Sequence, residues 1–361
     1  MNGRIARSVA LSWALGAVLA SGADAPPQRF HGEIEVNRAV IRVRVVKASG
    51  APITGLDPSD FEVTIDGSPV EVEAAEWVPE APLTPVRARG RGKVPAAATS
   101  QGSGPALRPR PRLVVLLFQV DFHRSRISGL MRVDERAAEL VRSLGSGVRV
   151  AVAVFDSHLK LCRDFSEDLE EVAEALTAPR ILAAGDALDD GRTPSLARHL
   201  NGERARRAAT IEDALEVLGD GLAALPGPKD VLYFGWGVGR YDGRTGIVHL
   251  GRDYDRACDA VARARANVFS IDFTDADAHS LELGMRQVAE DTGGMYLKTN
   301  AFPDVAMARL GRVLSGHYEL VVVPAVELSG LFEVHVRVRA RGARVLAGRW
   351  QQAVRPRPLT E

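Results

Sequence analysis

Asp121, His123 and Ser125 stand at the end of a long apolar run, within the stretch LVVLLFQVDFHRS that spans Leu113 to Ser125. A run this apolar fits a strand buried on both faces of a parallel sheet. Such sheets hold their ligands at the carboxyl ends of strands. Aspartate and serine oxygens there are the donors that a hard divalent cation takes. The imidazole of His123 is a poor magnesium ligand and a good zinc ligand. An Asp121–His123 pair on one loop also has the composition of a general base, but no neighbour in sequence activates Ser125 as a nucleophile. A second set, Asp272, Thr274, Asp275 and Asp277, follows another apolar strand. It reads first as a solvated acidic loop and second as a weak calcium loop, since EF-hand spacing and a bidentate glutamate are missing. The chain has no G-x-S-x-G elbow, no H-E-x-x-H and no Walker loop. Gly235-Trp236-Gly237-Val238-Gly239-Arg240 follows a strand without completing a dinucleotide fingerprint. No residue is therefore assigned a catalytic role and no cofactor is expected, with a divalent cation at Asp121 the one exception left open.

To position those residues the chain alternates strands and helices from Arg112 to about His317. After the first strand, Ile127, Leu130, Met131, Ala137, Leu140, Val141 and Leu144 recur at helical spacing, closed by Gly145 and Gly147. Val148 to Phe155 is a second strand, and Leu159 to Phe165 a third, short and at an edge. Ser166 caps a helix with Asp168 and Glu170 in its early turns. Thr210 and Asp213 form a capping box ahead of Leu215, Leu218 and Leu222. Further strands are read at Val231 to Phe234, Asn267 to Phe273 and Met295 to Leu297. Helical stripes run from Tyr254 to Ala262, Leu281 to Ala289 and Phe302 to Leu314. This repetition predicts an α/β domain over 112–317 with a doubly wound, mostly parallel sheet.

The flanks differ in composition. Residues 1–25 carry Arg4 and Arg7, an apolar run from Val9 to Ala20 and then small residues, which reads as a secretory signal peptide. Residues 31–78 alternate apolar and polar side chains, with Asp66-Gly67 as a hairpin signal, and predict a small β-sandwich-like module. Residues 79–111 hold Pro, Ala, Gly, Ser and Arg, and read as a disordered basic linker, with Arg112 at its end. Residues 318–352 return to β. Phe332 to Arg339 alternates cleanly and Gly342 turns the chain toward a returning strand, Val345 to Trp350. This is either a hairpin on the sheet edge or part of one β module with the first region; 353–361 is a tail. Lys and Arg total 46, as do Asp and Glu, so no net field points to nucleic acid or to an anionic membrane. No later run is long enough to span a membrane. The two cysteines, Cys162 and Cys258, read as buried thiols rather than a disulfide framework.

Several segments together resemble the von Willebrand factor type A-related proteins that bacteria secrete. Ile53-Thr54-Gly55-Leu56 through Asp60-Phe61-Glu62-Val63 and Asp66-Gly67 is similar to the family's leader. Val114 to Asp121 is similar to the first strand of the A domain. Val288 to Gly294 resembles its A-x-x-T-G-G segment, and Ser315 to Pro324, with Tyr318, the Y-x-L-x-x-x-P strand that follows. The resemblance covers most of the chain after the leader. It implies a von Willebrand A-type (Rossmann-like) α/β fold that binds other proteins, flanked by the N-terminal β module and a C-terminal β-hairpin. It also implies a metal-dependent adhesion site, D-x-S-x-S in the family and Asp121-Phe122-His123-Arg124-Ser125 here, with Thr193 as the second-loop threonine. Trp236 stands where the family's fourth-strand aspartate belongs, so the site reads as degenerate. The expectation is an exported, non-enzymatic protein-binding module of the adhesion type, periplasmic or extracellular, meeting its partner through loops at His123, Trp236 and Asp275. The alternatives are a metal-dependent module using Asp121, Ser125 and Thr193, and a hydrolase at Asp121 and His123.

Overall fold

The computed structural model describes residues 38–80, 112–182, 194–274, 279–299 and 302–353. The leader at 1–25, linker residues 81–111, Thr193, Asp275 and the tail from 354 lie outside the described residues, as does the side chain of Ser125.

Three strands come first: β1 (Ala39–Val46), β2 (Phe61–Ile65) and β3 (Ser68–Pro79). Asp66 and Gly67 join the last two with φ of 46° and 77°. Positive φ at both central residues is what the twist of a two-residue hairpin asks for.

The α/β part follows in the expected order. It consists of β4 (Arg112–Gln119), α1 (Arg124–Ser143), β5 (Val148–Phe155), β6 (Leu159–Ser166), α2 (Leu169–Ala175), α3 (Ala178–Leu182), α4 (Gly202–Arg207), α5 (Ile211–Ala223), β7 (Lys229–Gly235), a small hairpin of β8 (Arg240–Asp242) and β9 (Ile247–His249), α6 (Arg252–Arg263), β10 (Ala266–Asp272), α7 (Glu282–Asp291), β11 (Tyr296–Lys298) and α8 (Pro303–Val313). The six-stranded sheet runs β11-β10-β7-β4-β5-β6. All its pairs are parallel except β5–β6. The central strand β4 is buried throughout, as its composition requires. Leu113, Val115 and Leu117 enter the core on one face, and Val114, Leu116 and Phe118 the core on the other. Phe118 stacks on Phe234 with centroids 4.7 Å apart. One expected cap moves. The strand β6 runs on through Ser166, and Asp168 instead caps α2, accepting the Glu171 N–H at 3.0 Å.

The chain ends in β12 (Gly316–Val323), β13 (Leu331–Val338), β14 (Arg344–Leu346) and β15 (Trp350–Gln352). The two flanks are not a separate N-terminal module and a C-terminal hairpin. They interleave in one antiparallel sheet of order β14-β1-β12-β3-β2-β13-β15. The physical reason is that each strand has a single apolar face and too little surface to bury it alone. Ile41, Val43 and Val45, Phe61, Val63 and Ile65, Tyr318, Leu320 and Val322, and Phe332 and Val334 fill one shared core. The expected return strand also splits: β14 pairs with β1 and β15 with β13. Those are the two edges of the sheet. The three residues between them span at most about 14 Å, so the sheet curls until its edges come close.

The second face of β1 ties this sheet to the α/β part. Arg42 and Arg44 alternate with the apolar residues and reach Asp230, at the start of β7. Asp230 is fully buried and accepts from Arg44 Nη2 at 3.0 Å on both oxygens and from Arg112 Nε at 2.9 Å; Arg42 joins them. Glu80 pairs with Arg112 and accepts from His317 Nδ1 at 3.0 Å. Pro79, expected in the linker, thus ends β3, and Glu80, expected there too, joins Arg112 in a buried ion cluster. Burial pushes the Asp230 carboxyl up, but the three guanidiniums outweigh it and hold it well below the usual range. Burial dominates at Arg44 and lowers it to about 10. Cys258 is buried, Cys162 half-buried, and they form no disulfide.

Candidate functional site

At the carboxyl edge of the parallel sheet, Asp121 lies two residues beyond β4. Its Oδ1 accepts the backbone N–H of His123 at 2.7 Å, which shapes the turn into α1. Its Oδ2 is ion-paired with Arg126, in the first turn of that helix. The Arg126 guanidinium also lies over the Trp236 ring, 3.4 Å from the centroid. The cation is therefore held between a carboxylate and an aromatic face, a favourable arrangement for a delocalised planar charge.

Trp236 is placed from below. Gln119, buried at the end of β4, accepts through Oε1 from the Trp236 N–H at 3.1 Å and the Gly237 N–H at 3.3 Å. The Tyr233 hydroxyl lies 2.5 Å from the same oxygen and 2.8 Å from the Gly237 carbonyl. A Cβ at Gly235 would stand 2.4 Å from the Tyr233 ring, so this loop needs glycine to fold back over it. Trp236 packs half-buried against the core under α1, with Nε1 buried and without a hydrogen-bond partner. It is thus not the exposed interface anchor that its loop position suggests.

Of the residues expected here, the structure brings Asp121 and Trp236 together through Arg126, which sequence reading passed over. The signal was an arginine five residues after the aspartate, in the first turn of α1. His123 is exposed at the N-cap position, with no side-chain capping bond. Both Asp121 oxygens face hydrogen-bond donors, and neither a guanidinium nor an N–H can ligate a cation. The fourth-strand position offers an indole. Asp121 and Trp236 as placed thus offer no uncommitted oxygen to magnesium, which demands several in octahedral array; Thr193 and the Ser125 side chain lie outside the described residues.

A second cluster lies one strand over. Asp272, expected in a solvated loop, is fully buried at the end of β10. Its Oδ2 lies 2.8 Å from His279 Nε2 and accepts from the Tyr296 hydroxyl at 2.8 Å; Oδ1 accepts the Thr274 N–H at 2.9 Å. Burial would raise this carboxyl, but those bonds, His279 foremost, outweigh it and lower it. Glu282, in the first turn of α7, accepts from Lys298 Nζ at 2.9 Å and Arg286 Nη2 at 2.7 Å.

No protein-family model matches the chain, and no curated protein does. Among solved structures, the human COPII-coat protein Sec24c is similar at 11% identity, over 68% of this chain and 44% of that one, with a TM-score of 0.39. The chain thus spans less than half of that protein's length. A von Willebrand factor type A protein from Catenulispora acidiphila is 8% identical over 89% of this chain and 75% of that one, TM-score 0.38. The conserved hypothetical protein BatB from Bacteroides thetaiotaomicron is 15% identical over 57% and 97%, TM-score 0.34. The α/β part is a doubly wound, mostly parallel six-stranded sheet with a single antiparallel edge strand, and Asp121 lies just beyond the end of its first strand.

Proposed function

We propose that the chain is an exported, non-enzymatic protein-binding module of the adhesion type, which meets its partner at the carboxyl edge of the parallel sheet without magnesium. One observation carries this reading: the apolar side chains left in solvent at that edge. Phe122 after β4 is 71% exposed, and Phe302 ahead of α8 is 74% exposed. Tyr241 and Ile247 on the small hairpin after β7, Leu283 in the first turn of α7 and Val305 in that of α8 are exposed as well. Aromatic and aliphatic groups gathered on one rim are what a protein interface buries. Arg126 supports the metal-free half of the reading, because it supplies a fixed positive charge to Asp121. Neither alternative, the metal-dependent module of Asp121, Ser125 and Thr193 or a hydrolase at Asp121 and His123, is favoured while Asp121 is committed to Arg126.

The test is capture from cell-envelope extracts with the full chain as bait, in EDTA. A specific protein retained by the wild type and lost in the Phe122→Ser, Phe302→Ser double variant is the expected result. Capture that EDTA abolishes, or that the double variant leaves intact, contradicts the reading.

A further inference from the structure

We propose that Asp272, His279 and Glu282 form a divalent transition-metal site, with zinc the best match. The three side chains offer ligand atoms that all lie within 4.8 Å of one another. One imidazole and two carboxylates are a donor set for zinc rather than for magnesium or calcium, which take oxygens alone. Zinc about 2.1 Å from each ligand sets tetrahedral ligand atoms roughly 3.4 Å apart. The Asp272–His279 contact of 2.8 Å must therefore open by a fraction of an ångström. The fourth position falls to water or to the Tyr296 hydroxyl, which already sits 2.8 Å from Asp272 Oδ2.

The surroundings point the same way. The Thr274 N–H fixes the Asp272 carboxylate from the far oxygen, as outer-shell bonds do for metal ligands. Ser270, two residues before Asp272 and so on the same face of β10, is fully buried with its hydroxyl lacking a hydrogen-bond partner. Without a metal, Lys298 and Arg286 neutralise Glu282. A divalent ion replaces Lys298 at Glu282, and His279 binds it through the Nε2 lone pair of the tautomer that carries its proton on Nδ1. The ion then ties the end of β10 to the start of α7. This site is independent of the reading at Asp121, where an arginine takes the cation's place.

Isothermal titration of the EDTA-stripped full chain with zinc chloride tests it. The expected result is one zinc per chain, an affinity at least tenfold weaker in His279→Ala and in the isosteric Glu282→Gln, tighter in Lys298→Met, and unchanged in His123→Ala. Circular dichroism in EDTA checks that the variants fold. No zinc binding by the wild type overturns the site. So does binding that His279→Ala and Glu282→Gln leave unchanged, or binding lost in His123→Ala.

Discussion

Arg126 decides what kind of site Asp121 belongs to. The place of Asp121 at the end of a buried strand was legible in the sequence, and so was the indole at position 236. The arginine was not, because its role depends on one helical turn placing it back over the strand end. Arg126→Ala is expected to cost about 1 kcal/mol in urea unfolding, as a partly exposed ion pair with an aromatic contact. It should also shift Trp236 emission to longer wavelength as water reaches the ring; an unchanged emission spectrum counts against the stacking. Lys229 gives a pH signature. It is buried, with Nζ donating at 3.0 Å to the carbonyls of Gly227 and Ala264. Burial first, then Arg265 and Arg42, lower it to about 8. Below that pH it is charged in both states and the burial penalty stands in full. From about 8 to about 10.4 the unfolded chain holds the extra proton, so this group makes stability rise with pH. Other groups titrate there too. Burial pushes the Cys258 thiol up to about 12, which works in the opposite sense. The difference between wild type and Lys229→Met isolates the lysine: the stability of wild type relative to the variant should rise across this window, and a constant difference contradicts the assignment.

At the scale of elements, the helices and buried strands were readable because their periods are local. The capping box at Thr210 formed as its spacing implies: the Thr210 hydroxyl accepts the Asp213 N–H at 3.1 Å, and Asp213 Oδ2 accepts the Thr210 N–H at 3.3 Å. Thr210→Ala should cost about 1 kcal/mol. What was not readable is how elements meet. The helices α5 and α6 approach so closely that a Cβ at Gly219 would stand 2.7 Å from the Ala260 backbone. Gly219→Ala should therefore destabilise by roughly 1–3 kcal/mol through overpacking, although alanine favours helix. A neutral or stabilising effect in thermal unfolding would show that the helices can part freely. The partnering of β14 and β15 was hidden for a related reason. Pattern fixes which face of a strand is buried but not which strand lies beside it.

For the whole molecule, the sequence suggested two β flanks around an α/β domain, and left open whether they join. They do, and Asp230 is where the joined sheet meets the α/β part. A carboxylate inside a strand reads as a misfit until three arginines from distant segments surround it. Asp230→Asn leaves Arg44 and Arg112 buried without that countercharge and should cost roughly 3–5 kcal/mol. The folded carboxylates of Asp230 and Glu80 hold their charge below the usual range. The unfolded chain therefore takes up their protons first as pH falls below about 4.5, and stability drops with it. That acid-side slope should be shallower in Asp230→Asn; an equal slope contradicts the role given to the cluster. Among the described residues, no helix is long and apolar enough to cross a membrane.

The central claim is that Asp121 is committed to Arg126 and takes no divalent cation. The most direct test is a thermal melt of the EDTA-treated full chain with and without excess magnesium, for wild type and Asp121→Ala. A ligand bound by the folded state alone raises Tm by mass action. The expected result is no magnesium-dependent shift in either protein. A rise in wild-type Tm with magnesium that Asp121→Ala abolishes would contradict the claim and restore a metal-dependent site.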